Sequence, residues 1–391
     1  MKNFGYLTCA ALLAFASCTN EINEEGFVDK ANTISFSAYP NKTRAVSGDV
    51  TSDNMKGDNF GVVGYYGSSI YLYKTESETN KAVEQYWKSS GSNNDGTWEY
   101  KTSSDLKFWP DGSMDFYAYF PYSDGATFAA SNASGTVMTI PSVNCKHDIL
   151  FAKHSTTYQD RVPLTFYHAF SKIQGLNIKV NGGNVADANV QVIVSNIEFI
   201  NTATSGDVQV DKEGKATYKI ADTNVPLTKS FTSAQTINKS ATNGIDLITS
   251  NDNCYLFATN GSESNNVTGT NKTMWNGTNS SWGESDKLST KGLVCLKLTC
   301  KVYDTHGSSK HYLVGSETEN DYGTVYIPLT GTHNGTTTNL SAFEPGKRYT
   351  FNIVFTHNVG FKDNGDAILK PILFKVESVK SWEDVNVTIT L

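Results

Sequence analysis

An all-β protein is predicted by three observations. The 391-residue chain is rich in Thr, Ser, Asn, Gly and aromatic residues, which suit strands and tight turns. Apolar residues alternate with polar ones in many short segments, and long helical periodicity is missing. Turn signals such as Asn94-Asp95-Gly96 and Pro110-Asp111-Gly112 recur between those segments. At this length one compact core is improbable and two domains are expected.

The chain begins with Lys2, an apolar run over residues 4–16, then Ala16-Ser17-Cys18 and a polar stretch. An apolar run of 13 residues is too short to span a bilayer, which takes roughly 20, and fits the core of a signal peptide. Small residues before a cysteine suit signal peptidase II, so residues 1–17 read as a lipoprotein signal and Cys18 as a diacylated N-terminus in a membrane lipid. Phe15 departs from the commoner Leu three before that cysteine. Residues 18–32, with Glu21, Glu24, Glu25 and Asp29, read as a tether.

The body starts with an alternating strand over 33–39, in which Ile34, Phe36 and Ala38 share one face. Pro40 ends it, and residues 41–49, containing Arg44 and Ala45, form a polar loop. Strand-like segments follow at 61–66 and 70–73. Residues 114–120 (Met-Asp-Phe-Tyr-Ala-Tyr-Phe) carry aromatics on both faces, which argues for a central, buried strand. A boundary is expected near residue 160, giving an N-terminal β-sandwich over 33–160 and a C-terminal one over 161–391. Within the second, strands are expected at 162–173, 176–180, 190–200, 292–303, 311–315, 323–329, 348–357 and 369–377. Residues 260–290 form a polar excursion holding Trp275 and Trp282. The last segment, 385–391, sets Val385, Val387, Ile389 and Leu391 on one face. A chain end is usually frayed and polar, so an apolar strand as the last element needs an explanation.

The net charge is −7 and no Lys/Arg cluster appears, which argues against nucleic acid as a partner. No Gly-x-Ser-x-Gly, His-Glu-x-x-His or phosphate-loop motif is present, so no catalytic residue is assigned and an enzyme is not expected. The seven histidines lack metal-ligand spacing, Cys-x-x-Cys is absent, and no metal or cofactor is expected. His168 reads as a satisfied, half-buried histidine. Cys145, Cys254, Cys295 and Cys300 are either small core residues or include one bridge; Cys295 and Cys300 sit at odd spacing on one strand and should not pair with each other. Aromatic side chains are read as core and rim filling.

Five stretches in order resemble the fimbrillin family, the subunits of protease-assembled (type V) pili on Bacteroidetes-type bacteria. They are Ile34-Ser35-Phe36-Ser37-Ala38 with Thr43-Arg44-Ala45; Trp109-Pro110-Asp111-Gly112 through 116–121; 148–152 (Asp-Ile-Leu-Phe-Ala); 164–173 (Leu-Thr-Phe-Tyr-His-Ala-Phe-Ser-Lys-Ile); and 345–351 (Pro-Gly-Lys-Arg-Tyr-Thr-Phe). The resemblance implies two tandem transthyretin-like Greek-key β-sandwiches. It also implies a lipidated precursor at the outer membrane, cut after an arginine in the loop behind the first strand, here between Arg44 and Ala45. The strand of Ile34, Phe36 and Ala38 would leave, and a neighbouring subunit would fill the groove. The alternating parity of 385–391 suits that donor strand equally with the last strand of its own sandwich. A host or bacterial surface receptor is a further expected partner. The alternative is a lipid-anchored glycan-binding surface protein.

Overall fold

A computed structural model describes residues 33–40, 50–74, 81–91, 95–180, 189–221, 225–260, 267–279, 281–283, 285–306, 308–333, 336–338, 340–355, 360–366, 368, 373–379 and 384–390. Cys18, Arg44, Ala45 and Leu391 lie outside them. Regular structure is almost entirely strand, as the composition predicts. The N-terminal strands are β1 (Phe36–Pro40), β2 (Phe60–Tyr66), β3 (Ser69–Leu72), β4 (Val83–Ser89), β5 (Gly96–Tyr100), β6 (Met114–Phe120), β7 (Thr127–Phe128), β8 (Thr136–Val143), β9 (Leu150–Thr156) and β10 (Val162–His168). There follow β11 (Phe170–Val180), β12 (Val190–Ile200), β13 (Gly206–Asp211), β14 (Ala216–Ile220), β15 (Leu227–Ile237), β16 (Ile245–Ile248), β17 (Tyr255–Phe257) and β18 (Thr273–Met274). The last are β19 (Leu293–His306), β20 (Ser309–Val314), β21 (Gly323–Ile327), β22 (Gly331–His333), β23 (Thr336–Thr338), β24 (Arg348–Phe355), β25 (Leu373–Val379) and β26 (Asp384–Thr390).

One sheet runs β1-β10-β9-β6-β2-β4-β5, with β3 folded onto β2. Its β1–β10 pair is parallel and its other pairs are antiparallel. The sheet curls until its two edges approach, and the Tyr100 hydroxyl donates to the Ile34 carbonyl at 2.8 Å. The curl encloses one core, built on Phe36, Phe60, Phe116, Leu150, Leu164 and Phe166. The outer face of β6 and β9 packs on a second sheet, β14-β13-β8-β7, through Tyr117, Tyr119, Phe151, Met138 and Val208. Strand β6 therefore buries both faces: Met114, Phe116 and Ala118 inside the curl, Tyr117 and Tyr119 against the neighbouring sheet. Its two-sided apolarity has that cause.

Buried tyrosines keep their hydroxyls bonded, as an apolar site demands. Tyr65 donates to the Ala129 carbonyl at 2.6 Å, Tyr117 to Lys212 at 2.7 Å and Tyr119 to Ser123 at 2.6 Å. The Tyr119 ring lies across Gly61 of β2, its partner in the ladder; a Cβ there would sit 2.3 Å from the ring.

Apart from β22 and β23, which pair only with each other, the remaining strands form two facing sheets. One is β16-β11-β24-β26-β25 with β17 on β11; the other is β15-β12-β19 with β18, β20 and β21 on β19. Val192, Ile197, Leu296, Leu298, Phe351 and Ile353 build the core they share. Strand β10, just past the expected 160/161 boundary, belongs to the curled sheet. After Ala169 the chain enters β11, which pairs with β24, and β13, which pairs with β14, later returns to pair with β8. Trp275 of the polar excursion is buried, 5.0 Å from the Phe361 ring, so this stretch is pinned to the core. Cys145, Cys254, Cys295 and Cys300 are all buried and unbridged, the core reading of the two left open.

Candidate functional site

Strand β1 is the outermost strand of its sheet and has one ladder, to β10. Phe36 stands opposite Val162, Ala38 opposite Leu164 and Pro40 opposite Phe166. Parallel pairing is slightly weaker per residue than antiparallel. At its start, the Ile34 amide donates to the Lys107 carbonyl at 3.0 Å, and the Val162 amide donates to the Ser35 carbonyl at 2.8 Å. Ser35 Oγ donates to the Asp160 carbonyl. Burial, helped by the Asp105 charge, pushes the Tyr100 phenol well above its ordinary range, so it stays a donor to Ile34 at any physiological pH.

Alternation does the rest. Ile34, Phe36 and Ala38 point into the curl and are buried, while Tyr39 is 56% exposed. The Phe36 ring packs edge-on to Phe116 at 5.6 Å and to Phe60 at 6.3 Å, and tilted on Tyr100 at 6.3 Å. The three side chains that would leave with this strand are thus core residues, held by an edge strand with one ladder. Beyond the Tyr100 contact the seam between β1 and β5 opens into a cleft of about 280 Å³.

At the other chain end, β26 is an inner strand. It runs parallel to β24, with Val385, Val387 and Ile389 opposite Tyr349, Phe351 and Ile353, and antiparallel to β25. β25 closes that edge of the sheet. β26 and β1 belong to different sheets, and the Arg44–Ala45 cut site lies outside the described residues.

His168 ends β10, and its Nδ1 bonds the Asp148 carboxylate at 2.6 Å with both groups buried. This bond ties the 148–152 stretch to the 164–173 stretch at the corner where β10 becomes β11; it is a structural clamp, and full burial goes beyond the half-buried reading. Gly112 of Trp109-Pro110-Asp111-Gly112 has φ +134° and lies against the Tyr66 ring, whose hydroxyl donates to the Asp111 carbonyl at 2.5 Å. Asn364 caps the Asp366 amide at 3.1 Å, which is turn chemistry, whereas Asp363 makes a long-range tie by accepting from Ser289 Oγ at 3.2 Å. Among the described residues no three His, Cys, Asp or Glu side chains converge as metal ligands. The cleft between β1 and β5 was not legible in the sequence, since Trp87, Lys56 and Arg161 come from distant segments; of its lining, Phe36 and Ala38 lay on the predicted first strand and Gly96 in a marked turn.

The fimbrillin-like family model matches residues 43–367, and the chain belongs to that family. Family membership makes it a pilus or adhesion subunit of the cell surface. Similar solved structures include the following two. A fimbrial protein from Bacteroides vulgatus is 14% identical, with 92% of this chain and 97% of that one covered and a TM-score of 0.41. A proposed cell adhesion protein from Bacteroides uniformis is 13% identical, with 92% and 98% covered and a TM-score of 0.37. No curated protein matches the chain.

Proposed function

We propose that this is a non-enzymatic pilus subunit or pilus-associated adhesin that works by exchanging its first strand. It is exported as a lipoprotein on Cys18 to the outer membrane, cut between Arg44 and Ala45, and freed of β1. The observation that carries the reading is the state of β1: an edge strand on one parallel ladder whose inward side chains fill the core of the curled sheet. Its loss would leave a groove floored by Phe60, Phe116 and Phe166 beside the open edge of β10. Apolar groove and unpaired edge together favour addition of another strand.

The donor is β26 of another copy, completed by Leu391. Val385, Val387 and Ile389 repeat the two-residue step of Ile34, Phe36 and Ala38, and both strands lie parallel to their neighbour. In the uncut chain β26 is paired at home, so donation requires it to leave β24. β25 ends the hydrogen-bonded sheet but also contacts β22 and β23, so departure of β25 with β26 must break that packing as well as the β24 ladder. Receptor contact is the remaining, adhesive part of the proposal.

The test is a peptide of residues 384–391 offered to cut and uncut protein. Binding to the cut form alone, with fewer polymers formed, supports the exchange. Equal binding to both, or to neither while polymers still form, refutes the donor role.

A further inference from the structure

The seam between β1 and β5 holds chemistry that strand exchange does not use. Its cleft, about 280 Å³, has Phe36 and Trp98 as its floor and Tyr39 at its rim. The charged side chains lining it are both cationic: Lys56 and Arg161. Asp53, an exposed carboxylate outside the lining, lies 3.4 Å from Lys56 Nζ. Lys56 Nζ also sits 4.8 Å above the Trp87 ring. The indole of Trp87 lies close over Gly96, where a Cβ would come within 2.9 Å of it. Lysine and glycine thus fix the ring from its surroundings, and its Nε1–H is buried without a hydrogen-bond partner. A buried donor left unpaired is costly, and a bound water or ligand oxygen is one way such a group is satisfied.

We propose that this cleft is a binding site for a carboxylate-bearing sugar, one ring in size. Arg161, with Lys56 beside its Asp53 partner, gives the lining a cationic character that favours an anion. An indole N–H offers a hydrogen bond to a hydroxyl or carboxylate oxygen. Aromatic walls suit the C–H face of a pyranose. The volume falls just below that of small-molecule pockets, about 300–1,000 Å³, so one sugar residue fits and a longer chain must run out past Tyr39. Strand β1 supplies one wall, so the complete site belongs to the uncut chain. If the exchange reading holds, occupancy clamps β1 to β5 and opposes its loss; the site itself does not depend on that reading.

The test uses the uncut full chain with N-acetylneuraminic acid, glucuronate and neutral glucose as probes, followed by tryptophan fluorescence and calorimetry. The same acid sugars carried at the end of an immobilised glycan distinguish a glycan terminus from a free sugar acid as the source. Acid sugars should bind and glucose should not. Trp87→Phe keeps an aromatic ring but removes the N–H, and Arg161→Gln removes one exposed charge; each should weaken binding about tenfold, the loss of one charge-assisted hydrogen bond. Circular dichroism confirms that both variants fold. No saturable binding at millimolar acid sugar, equal binding of glucose, or wild-type affinity in both variants overturns the site. Strand exchange is scored separately by polymer formation, so either idea can fail alone.

Discussion

Replacing Phe36 by alanine removes the ring at the centre of β1. That ring is 1% exposed and meets Phe116, Phe60 and Tyr100 at centroid distances of 5.6, 6.3 and 6.3 Å. Phe→Ala at a packed site costs about 3–5 kcal/mol from lost transfer energy and the cavity left behind. Since a domain has about 5–15 kcal/mol in hand, that is a large fraction of its stability, and it multiplies the unfolded or strand-open population by roughly a hundred to several thousand. The assay is urea unfolding of uncut protein, where the midpoint should fall with an unchanged slope. Tyr39→Ala is the matched control: same strand, opposite face, 56% exposed, with a change within about 0.5 kcal/mol. After cleavage the residue is gone, so fibres from the Phe36 variant should be as stable as wild-type fibres and should form faster. Equal costs for Phe36→Ala and Tyr39→Ala would show that β1 does not fill the core. Weaker fibres from the Phe36 variant would show that β1 is retained after cutting.

Tyr100→Phe deletes the hydroxyl that holds the Ile34 carbonyl and should cost about 1 kcal/mol in the uncut protein, with β1 exchanging sooner by hydrogen exchange at the 34–38 amides. Arg44→Ala should keep the lipidated N-terminus on the recovered protein and abolish high-mass ladders in gels. Burial pushes Cys254 up to about 11 and Cys300 up to about 12, whereas unfolded thiols titrate near about 8.5. Above that lower value the unfolded chain holds fewer protons than the folded one, so stability is full below it and falls as pH rises toward 11–12. Urea midpoints from pH 7 to 11 check the sign, and Cys254→Ala with Cys300→Ala should reduce the slope, the remainder coming from Cys145, Cys295 and the buried tyrosines, which burial also raises. The same burial predicts that Cys145, Cys254, Cys295 and Cys300 react with a thiol reagent only once the chain unfolds.

Local pattern carried much of the fold. The alternation of 33–39 announced β1 and its inward face, and the aromatics on both sides of 114–120 announced a strand covered twice. Long-range pairing left no such mark. Nothing in residues 206–220 shows that β13 and β14 return to β8, because a strand's partner is set by the whole sheet and not by its own period. The parallel seat of β1 on β10 was equally silent, as was the curl that brings Tyr100 to Ile34. The donor candidate shows the limit most clearly. Alternating Val385, Val387 and Ile389 fit a slot beside β24 and a groove beside β10 equally well, since both ask for the same parity. The cleft at the β1/β5 seam combines residues more than a hundred positions apart, and only the folded chain assembles them.

The central claim is that β1 is cut away and replaced, and the most direct measurement is the N-terminus and mass of the protein recovered from cell surfaces. An N-terminus at Ala45 in material running as a high-mass ladder is the predicted result. A lipidated Cys18 on an uncut monomer, with β1 still in its groove, would contradict it.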